Sequence, residues 1–111
     1  MDAALDDLKR RRAEPLLTNF IVAESHALAL GRLNAEIARR WVLTNVWPIE
    51  RVTGEDESKA VAILQRYVDK TFSYTDACSF AVMERLRLKT AVAFDPHFRQ
   101  YGFQVVGSTA R

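Results

Sequence analysis

Residues 72–98 read FSYTDACSFAVMERLRLKTAVAFDPHF and predict a capped helix followed by an apolar strand and a turn. Ser73 is a typical N-cap residue, and the helix that it opens is predicted to run to about Leu88. Thr90–Phe94 shows no alternation of apolar and polar residues, as expected for a strand buried on both faces. Pro96–Tyr101 is long enough for one helical turn, which Gly102 is predicted to close.

The flanking sequence continues this alternation of helices and short strands. Recurring apolar positions on one helical face predict the helices, and short apolar runs predict the strands. In chain order we expect a helix over Asp2–Arg12, a strand at Pro15–Leu17, a helix from Thr18 or Asn19 to Leu30 ended by Gly31, a helix over Asn34–Asn45, a strand over Trp47–Val52, a helix over Thr53–Asp69 opened by a capping box with Asp56, and a strand over Phe103–Val106. This order predicts a single α/β domain over residues 1–111 with a mainly parallel sheet.

The composition is that of an ordinary globular protein. The chain has 111 residues, of which 49% are hydrophobic and 27% are charged, and this excludes disorder and a coiled coil. Cys78 is the only cysteine, which excludes a disulfide framework and favours a reducing, cytoplasmic location. No apolar run reaches the roughly 20 residues of a membrane span. The net charge of +2 permits a nucleic-acid partner without requiring one.

Glu24 is the first acid in an unexpected place. It lies within the helix that starts near Thr18, on the face that also carries Phe20, Ile21, Ala27 and Leu28. We therefore expect a carboxylate on a buried apolar face. Such a group must be paired, protonated or bound to a cation, because burying it alone is costly. An arginine partner and a cation are equally good explanations at this stage.

Asp76 and Asp95 each allow two interpretations. Asp76 follows Ser73 by three residues, so it can complete a helix cap. Asp95 precedes Pro96, so it can cap the next turn, but it also lies at the carboxyl end of a strand, where open α/β sheets bind ligands. Together with Glu24, the two aspartates make a set of oxygen ligands of the kind that Mg²⁺ and Mn²⁺ prefer. Two such ions can support phosphodiester cleavage.

Three segments together resemble a known family. TNFIVAES (18–25), the stretch over residues 72–98 and YGFQVV (101–106) resemble the PIN-domain ribonucleases, in particular the VapC-like toxins of bacterial toxin–antitoxin pairs. The resemblance implies a three-layer α/β/α domain with a parallel sheet. It also implies a metal-dependent endoribonuclease that uses Mg²⁺ or Mn²⁺, often on structured RNA.

The resemblance also implies the residues of the site and the partners. Glu24, Asp76 and Asp95 match the family's metal-binding and catalytic acids. The polar positions that support these acids are matched by Thr18, Asn19 and Ser73. The implied partners are an RNA substrate, a cognate antitoxin protein and a second copy of the chain in a homodimer.

The family pattern begins with a central strand that ends in an aspartate, whereas this sequence starts after that element. We therefore expect a PIN-like domain without its first strand, which leaves two functional hypotheses. One is a working endoribonuclease. The alternative is a catalytically impaired domain that acts only as an antitoxin-binding or self-associating module. A third interpretation, an unrelated α/β domain, treats the three acids as helix caps and salt bridges.

Three further side chains have simple interpretations. His97 is predicted to be a solvent-facing turn residue, although contact with a substrate phosphate is an alternative. His26 is predicted to lie at the surface. Cys78 lies near the apolar residues Ala77, Phe80 and Ala81 and is predicted to be an inert core thiol. These three residues do not have the spacing of a zinc site.

Overall fold

A computed structural model describes residues 16–92 and 96–106 of the chain. The elements are β1 (Leu17–Thr18), α1 (Asn19–Arg32), α2 (Ala35–Thr44), β2 (Ile49–Glu50), α3 (Gly54–Arg66), α4 (Tyr74–Arg85), β3 (Thr90–Val92), α5 (His97–Tyr101) and β4 (Gln104–Val106). The described residues fall into two compact units, one over residues 16–52 and the other over residues 53–92 and 96–106. The predicted helix over Asp2–Arg12 lies outside the described residues.

In the first unit, a parallel strand pair is joined by two helices. Leu17 of β1 pairs with Ile49 of β2, and its backbone N–H donates to the Pro48 carbonyl at 3.0 Å. Helix α2 begins where the sequence predicts, with Asn34 as its N-cap. The sequence predicts that Gly31 ends helix α1, but the helix continues to Arg32. Gly31 lacks the positive φ of a terminating glycine, so the helix passes through it.

The second unit has its core on helix α4. Eight consecutive residues of this helix, 76–83, are buried. Phe80 is fully buried and packs edge-on against Phe72 and Phe98, with ring centroids 5.0 and 4.9 Å away. The Phe80 ring also stacks on the Tyr101 ring, with centroids 4.4 Å apart. These rings hold the short helix α5 against α4, because aromatic pairs at such distances add to the gain from burial.

A parallel strand pair also closes the second unit. Thr90 of β3 pairs with Gln104 of β4, and α5 connects the two strands. Gly102 ends α5 with φ of 125°, a left-handed conformation that favours glycine. The predicted parallel pairing is therefore confirmed. The prediction that this strand is buried on both faces is wrong for Val92, which is 39% exposed, since within the described chain β3 pairs only with β4.

Two helices end earlier than their sequence patterns predict. Helix α3 ends at Arg66 instead of Asp69, and α4 ends at Arg85 instead of Leu88. After α4, Arg87 adopts a left-handed conformation with φ of 59°, and the Leu88 N–H donates back to the Met83 carbonyl at 2.8 Å. This is the hydrogen bond that closes a Schellman motif, and it turns the chain out of the helix.

Candidate functional site

Asp76 is fixed in the first turn of α4 by a capping box. Its Oδ2 accepts the backbone N–H of Ser73 at 3.0 Å, and the Ser73 hydroxyl accepts the backbone N–H of Asp76 at 3.0 Å. The predicted cap is therefore confirmed. The Asp76 side chain is only 12% exposed. The helix N-terminus stabilises its negative charge because unpaired N–H groups and the helix dipole face it.

His97 makes a second contact with the same carboxylate oxygen. Its Nδ1 lies 2.7 Å from Asp76 Oδ2, and its Nε2 lies 3.3 Å from Thr71 Oγ1. The ring also packs edge-on against Phe72 with centroids 5.8 Å apart. The prediction of a solvent-facing His97 is wrong, because only 23% of the side chain is exposed. The aromatic packing of α5 brings this residue back to the start of α4.

The second oxygen of Asp76 is in a different situation. Oδ1 accepts no hydrogen bond from the part of the chain that the structure describes. Three residues further along α4, on the same helical face, lies Ser79. Its hydroxyl is buried and is the one buried side-chain polar atom without a partner in residues 16–92 and 96–106. A carboxylate oxygen without a protein donor is the kind of ligand that a hydrated divalent cation takes, so the free oxygen of Asp76 fits one position in the shell of such an ion.

A second capping box lies at the start of α3. Asp56 Oδ2 accepts the Thr53 N–H at 2.9 Å, as the sequence predicts. Arg85 then donates from Nε to Oδ1 at 3.0 Å and from Nη2 to Oδ2 at 2.9 Å. The hydrogen bonds from Arg85 lower the pKa of Asp56 below its usual value, although burial opposes the shift. Both oxygens of Asp56 are therefore occupied, and the pair joins α3 to α4.

Within residues 16–52, two of the predicted supporting residues have separate roles. Thr18 is buried and caps α1, since its Oγ1 accepts the Ile21 N–H at 3.1 Å. Asn19 does not cap the helix. Its Oδ1 accepts the Val52 N–H at 2.8 Å, 33 residues away in sequence, and so ties the start of α1 to the segment after β2.

Comparison with known proteins identifies the family. The chain is 33% identical over 91 residues to the 23S rRNA-specific endonuclease VapC20 from two strains of Mycobacterium tuberculosis, which covers 79% of this chain and 70% of the relative. The crystal structure of M. tuberculosis VapC20, a sarcin–ricin loop cleaving toxin, superposes with a TM-score of 0.79 at 29% identity, covering 92% of this chain and 82% of that one. A scan against family models finds no match.

The chain belongs to the VapC-like PIN-domain ribonucleases. The predictions of family and of an α/β fold with parallel strands are thereby confirmed. So is the enzyme class, an RNA-cleaving hydrolase, at the level of the family. PIN-domain VapC nucleases generally depend on divalent metal ions, and VapC toxins pair with VapB antitoxins. An unrelated α/β domain is excluded.

In this VapC-like chain, Glu24 is not the buried acid that the sequence predicts. It is exposed on α1, a helix with no buried residue, and Leu28 on the same face is 51% exposed. The apolar residues do share one face of α1. Within residues 16–52, however, α1 packs on α2 and β1, and these elements cover only part of that face. The argument from burial therefore fails, and the role of Glu24 stays a prediction that depends on the family resemblance.

Asp95 lies outside the described residues, so its role also stays a prediction. Pro96, which follows it, occupies the N-cap position of α5 instead of the first helical position. Among residues 16–92 and 96–106, no three side chains of the His, Cys, Asp and Glu types are arranged to hold a metal ion. Asp76 is thus the predicted ligand whose surroundings the structure defines.

Cys78 is the inert core thiol that the sequence predicts. It is fully buried in α4, and burial raises the pKa of its thiol, which keeps it protonated and unreactive. Next to it, the Tyr74 hydroxyl donates to Glu57 at 2.6 Å, and this hydrogen bond raises the pKa of Tyr74. No helix within the described ranges is long and apolar enough to cross a membrane.

Proposed function

We propose that this chain is an endoribonuclease that hydrolyses RNA phosphodiester bonds with Mg²⁺ or Mn²⁺ held by acidic residues. The observation that carries the proposal is the hydrogen bonding of the two carboxylate oxygens of Asp76. Two donors hold one of its carboxylate oxygens, whereas the other oxygen accepts no hydrogen bond from the described chain. Family membership supplies the reaction class. Glu24 and Asp95 are proposed as further ligands on the basis of the resemblance alone.

The residues around Asp76 have distinct tasks in this proposal. Asp76 contributes the negative charge, and Ser73 fixes where that charge lies by donating its backbone N–H. Ser79 offers a buried hydroxyl on the same helical face. Asp76 would hold a divalent cation, and such an ion would supply the activation of a water and the stabilisation of charge on the leaving oxygen. The chain's own contribution is a carboxylate that is already oriented before substrate arrives.

We propose structured ribosomal RNA as the substrate class. VapC20, the relative from M. tuberculosis, is named for action on 23S rRNA, and its crystal structure is that of a toxin which cleaves the sarcin–ricin loop. This chain shares 33% identity with that protein over most of its length. The proposal therefore extends the relative's substrate to this chain.

A cognate antitoxin and a second copy of the chain are the proposed protein partners. Apolar side chains are exposed along residues 16–52, with Leu43 at 75% and Val46 at 88%. Exposed apolar side chains that lie close in sequence favour a surface that another protein covers. The same surface favours the alternative of a binding module without catalysis. A cytoplasmic location remains the prediction made from the single cysteine.

Cleavage of an end-labelled sarcin–ricin loop RNA tests the function. The purified chain should cut it with Mn²⁺ or Mg²⁺ and should lose the activity in EDTA. Asp76→Asn should reduce cleavage by more than about 100-fold, because loss of even an outer partner of a metal site costs about 10- to 100-fold.

Asp69→Asn is the matched control, since Asp69 is 71% exposed and pairs only with its neighbour Lys70 among the contacts that the structure shows. This variant should cleave like the wild type. Cleavage that survives both EDTA and Asp76→Asn would refute the proposal. A wild-type chain that binds the antitoxin but never cleaves RNA would favour the binding module.

A further inference from the structure

The carboxylate of Asp76 is held by two donors that reach it from different parts of the chain. Ser73 comes from the same helical turn, whereas His97 lies 21 residues further along, at the start of α5. Both donors meet at Oδ2 and leave Oδ1 without a hydrogen bond from the described residues. The capping box alone accounts for the first donor. It does not account for the second.

We propose that His97 is a positioning residue, which orients the Asp76 carboxylate so that Oδ1 is available to a divalent cation. This inference rests on the proposed function. The torsion that turns a carboxylate about its last bond is broad, so one hydrogen bond does not fix the plane of the group. A second donor at the same oxygen restricts that rotation. The two donors therefore fix both the position and the orientation of Oδ1.

The imidazole is itself held at both of its nitrogens. A carboxylate accepts hydrogen bonds, so the 2.7 Å contact requires that Nδ1 carries the proton. In the neutral ring, Nε2 then accepts from the Thr71 hydroxyl at 3.3 Å. The ring also lies edge-on to Phe72, which is 8% exposed. Since polar and apolar contacts both define its plane, His97 holds Asp76 with a rigid group.

Histidine suits this task better than arginine does. Arg85 covers both oxygens of Asp56 with its two-pronged guanidinium. A single imidazole nitrogen covers only one oxygen of Asp76. An arginine in place of His97 could occupy the oxygen that a cation needs, because its fork matches the geometry of a carboxylate.

A matched pair of variants isolates the Nδ1 hydrogen bond. In His97→Asn the side-chain amide nitrogen takes the place of Nδ1, whereas in His97→Gln it takes the place of Nε2. Both variants remove the ring and its contact with Phe72, so both should melt at similar temperatures. The readout is the dissociation constant for Mn²⁺ alone, measured by electron paramagnetic resonance on the full chain.

We expect His97→Gln to weaken Mn²⁺ binding by about 10- to 100-fold, which is the usual cost of losing an outer-shell partner. His97→Asn should stay within about threefold of the wild type, because it keeps the donor to Asp76. Wild-type affinity in His97→Gln would overturn the inference. Equal losses in the two variants would also overturn it, because the ring and not the Nδ1 donor would then matter.

Two further measurements keep the outcomes distinct. Asp76→Asn that binds Mn²⁺ as the wild type does would overturn the proposed function and this inference with it, whereas the results above overturn the inference alone. If His97→Gln fails to fold, the nitrogen-15 NMR spectrum of the wild-type imidazole decides the question. A proton on Nδ1 supports the proposed contact, and a ring protonated only on Nε2 overturns it.

Discussion

Helices α3 and α4 begin with the same local arrangement, yet the aspartates at their starts have different surroundings. Each helix has a hydroxyl N-cap residue, Thr53 or Ser73, and an aspartate three residues later that accepts the N-cap N–H. At Asp56 the second partner of the carboxylate is a guanidinium that occupies both oxygens. At Asp76 it is an imidazole that occupies one.

The difference separates a structural aspartate from a candidate functional one. Both carboxylate oxygens of Asp56 accept hydrogen bonds, from Thr53 and Arg85, so its carboxylate joins two helices. Asp76 keeps one oxygen that no described donor uses, and the buried hydroxyl of Ser79, three residues further along the helix, has no partner among the described residues either. The capping motif is common to both sites. What distinguishes them is a residue that lies 29 positions away for Asp56 and 21 positions away for Asp76.

The largest effect on stability is expected when the same substitution is made at both sites. Asp56→Asn must turn an amide –NH₂ toward the Arg85 guanidinium and leaves that cation partly buried. We expect this substitution to lower the free energy of unfolding by about 3 kcal/mol. This is near the lower end of the usual range for removing one partner of a buried ion pair, because the Arg85 side chain is 35% exposed to solvent. Asp76→Asn should cost less than about 1 kcal/mol, since the amide oxygen can accept both hydrogen bonds that Oδ2 accepts.

Urea unfolding followed by circular dichroism measures both values. The order of the two variants should be reversed for RNA cleavage. Asp76→Asn should lose the activity, whereas Asp56→Asn, where it is folded, should retain it. Equal losses of stability at the two positions would break the comparison, because one shared capping motif would then explain both aspartates.

A smaller effect is expected when the Asp56 pair is titrated with acid. Its pKa is lowered in the folded protein, so the unfolded chain binds more protons in acid and the pair stabilises the fold only where Asp56 is ionised. The contribution of the pair to the free energy of unfolding is complete at pH values above 3.8, the ordinary pKa of an aspartate. It is lost as the pH falls below that value. The stability difference between the wild type and Asp56→Asn should therefore narrow below about pH 4.

Urea midpoints of both proteins from neutral pH to about pH 3 provide the test. Because the two proteins share every other carboxylate, the acid response of those groups cancels in the difference. A gap that stays constant over this range would show that the charge on Asp56 does not contribute to stability.

The smallest effect is expected from Arg85→Lys. An ammonium group makes a single contact, so one oxygen of Asp56 would be left without its charged donor, as in Asp76. We expect a loss of about 1 kcal/mol, because one of two charge-assisted hydrogen bonds is lost at a partly exposed position. The melting temperature reports this change, and a loss as large as that of Asp56→Asn would show that the forked geometry itself is required.

Local signals in the sequence were sufficient for the helix starts. Thr53 and Ser73 are N-caps as predicted, because a cap is a contact between residues three apart and needs no knowledge of the rest of the fold. Helix ends were predicted less well. Arg87 ends α4 in a left-handed conformation that its residue type does not suggest.

The two errors at the site have a common physical cause. An apolar stripe showed which face of α1 carries Glu24, but whether a face is buried depends on what packs against it, and this helix has no buried residue. His97 was expected in solvent because nothing near it in sequence suggests a partner. Its contact with Asp76 depends on how the rings of Phe80 and Tyr101 place α5 against α4.

The sequence by itself determined the family, the alternation of helices and parallel strands, and the choice of Asp76 as a candidate ligand, since periodicity, caps and motif order are local properties of the chain. Only the tertiary structure decided which aspartate is neutralised by arginine and which keeps a carboxylate oxygen available. That decision depends on residues more than 20 positions apart, Asp56 with Arg85 and Asp76 with His97, and the packing of the second unit alone brings such residues together.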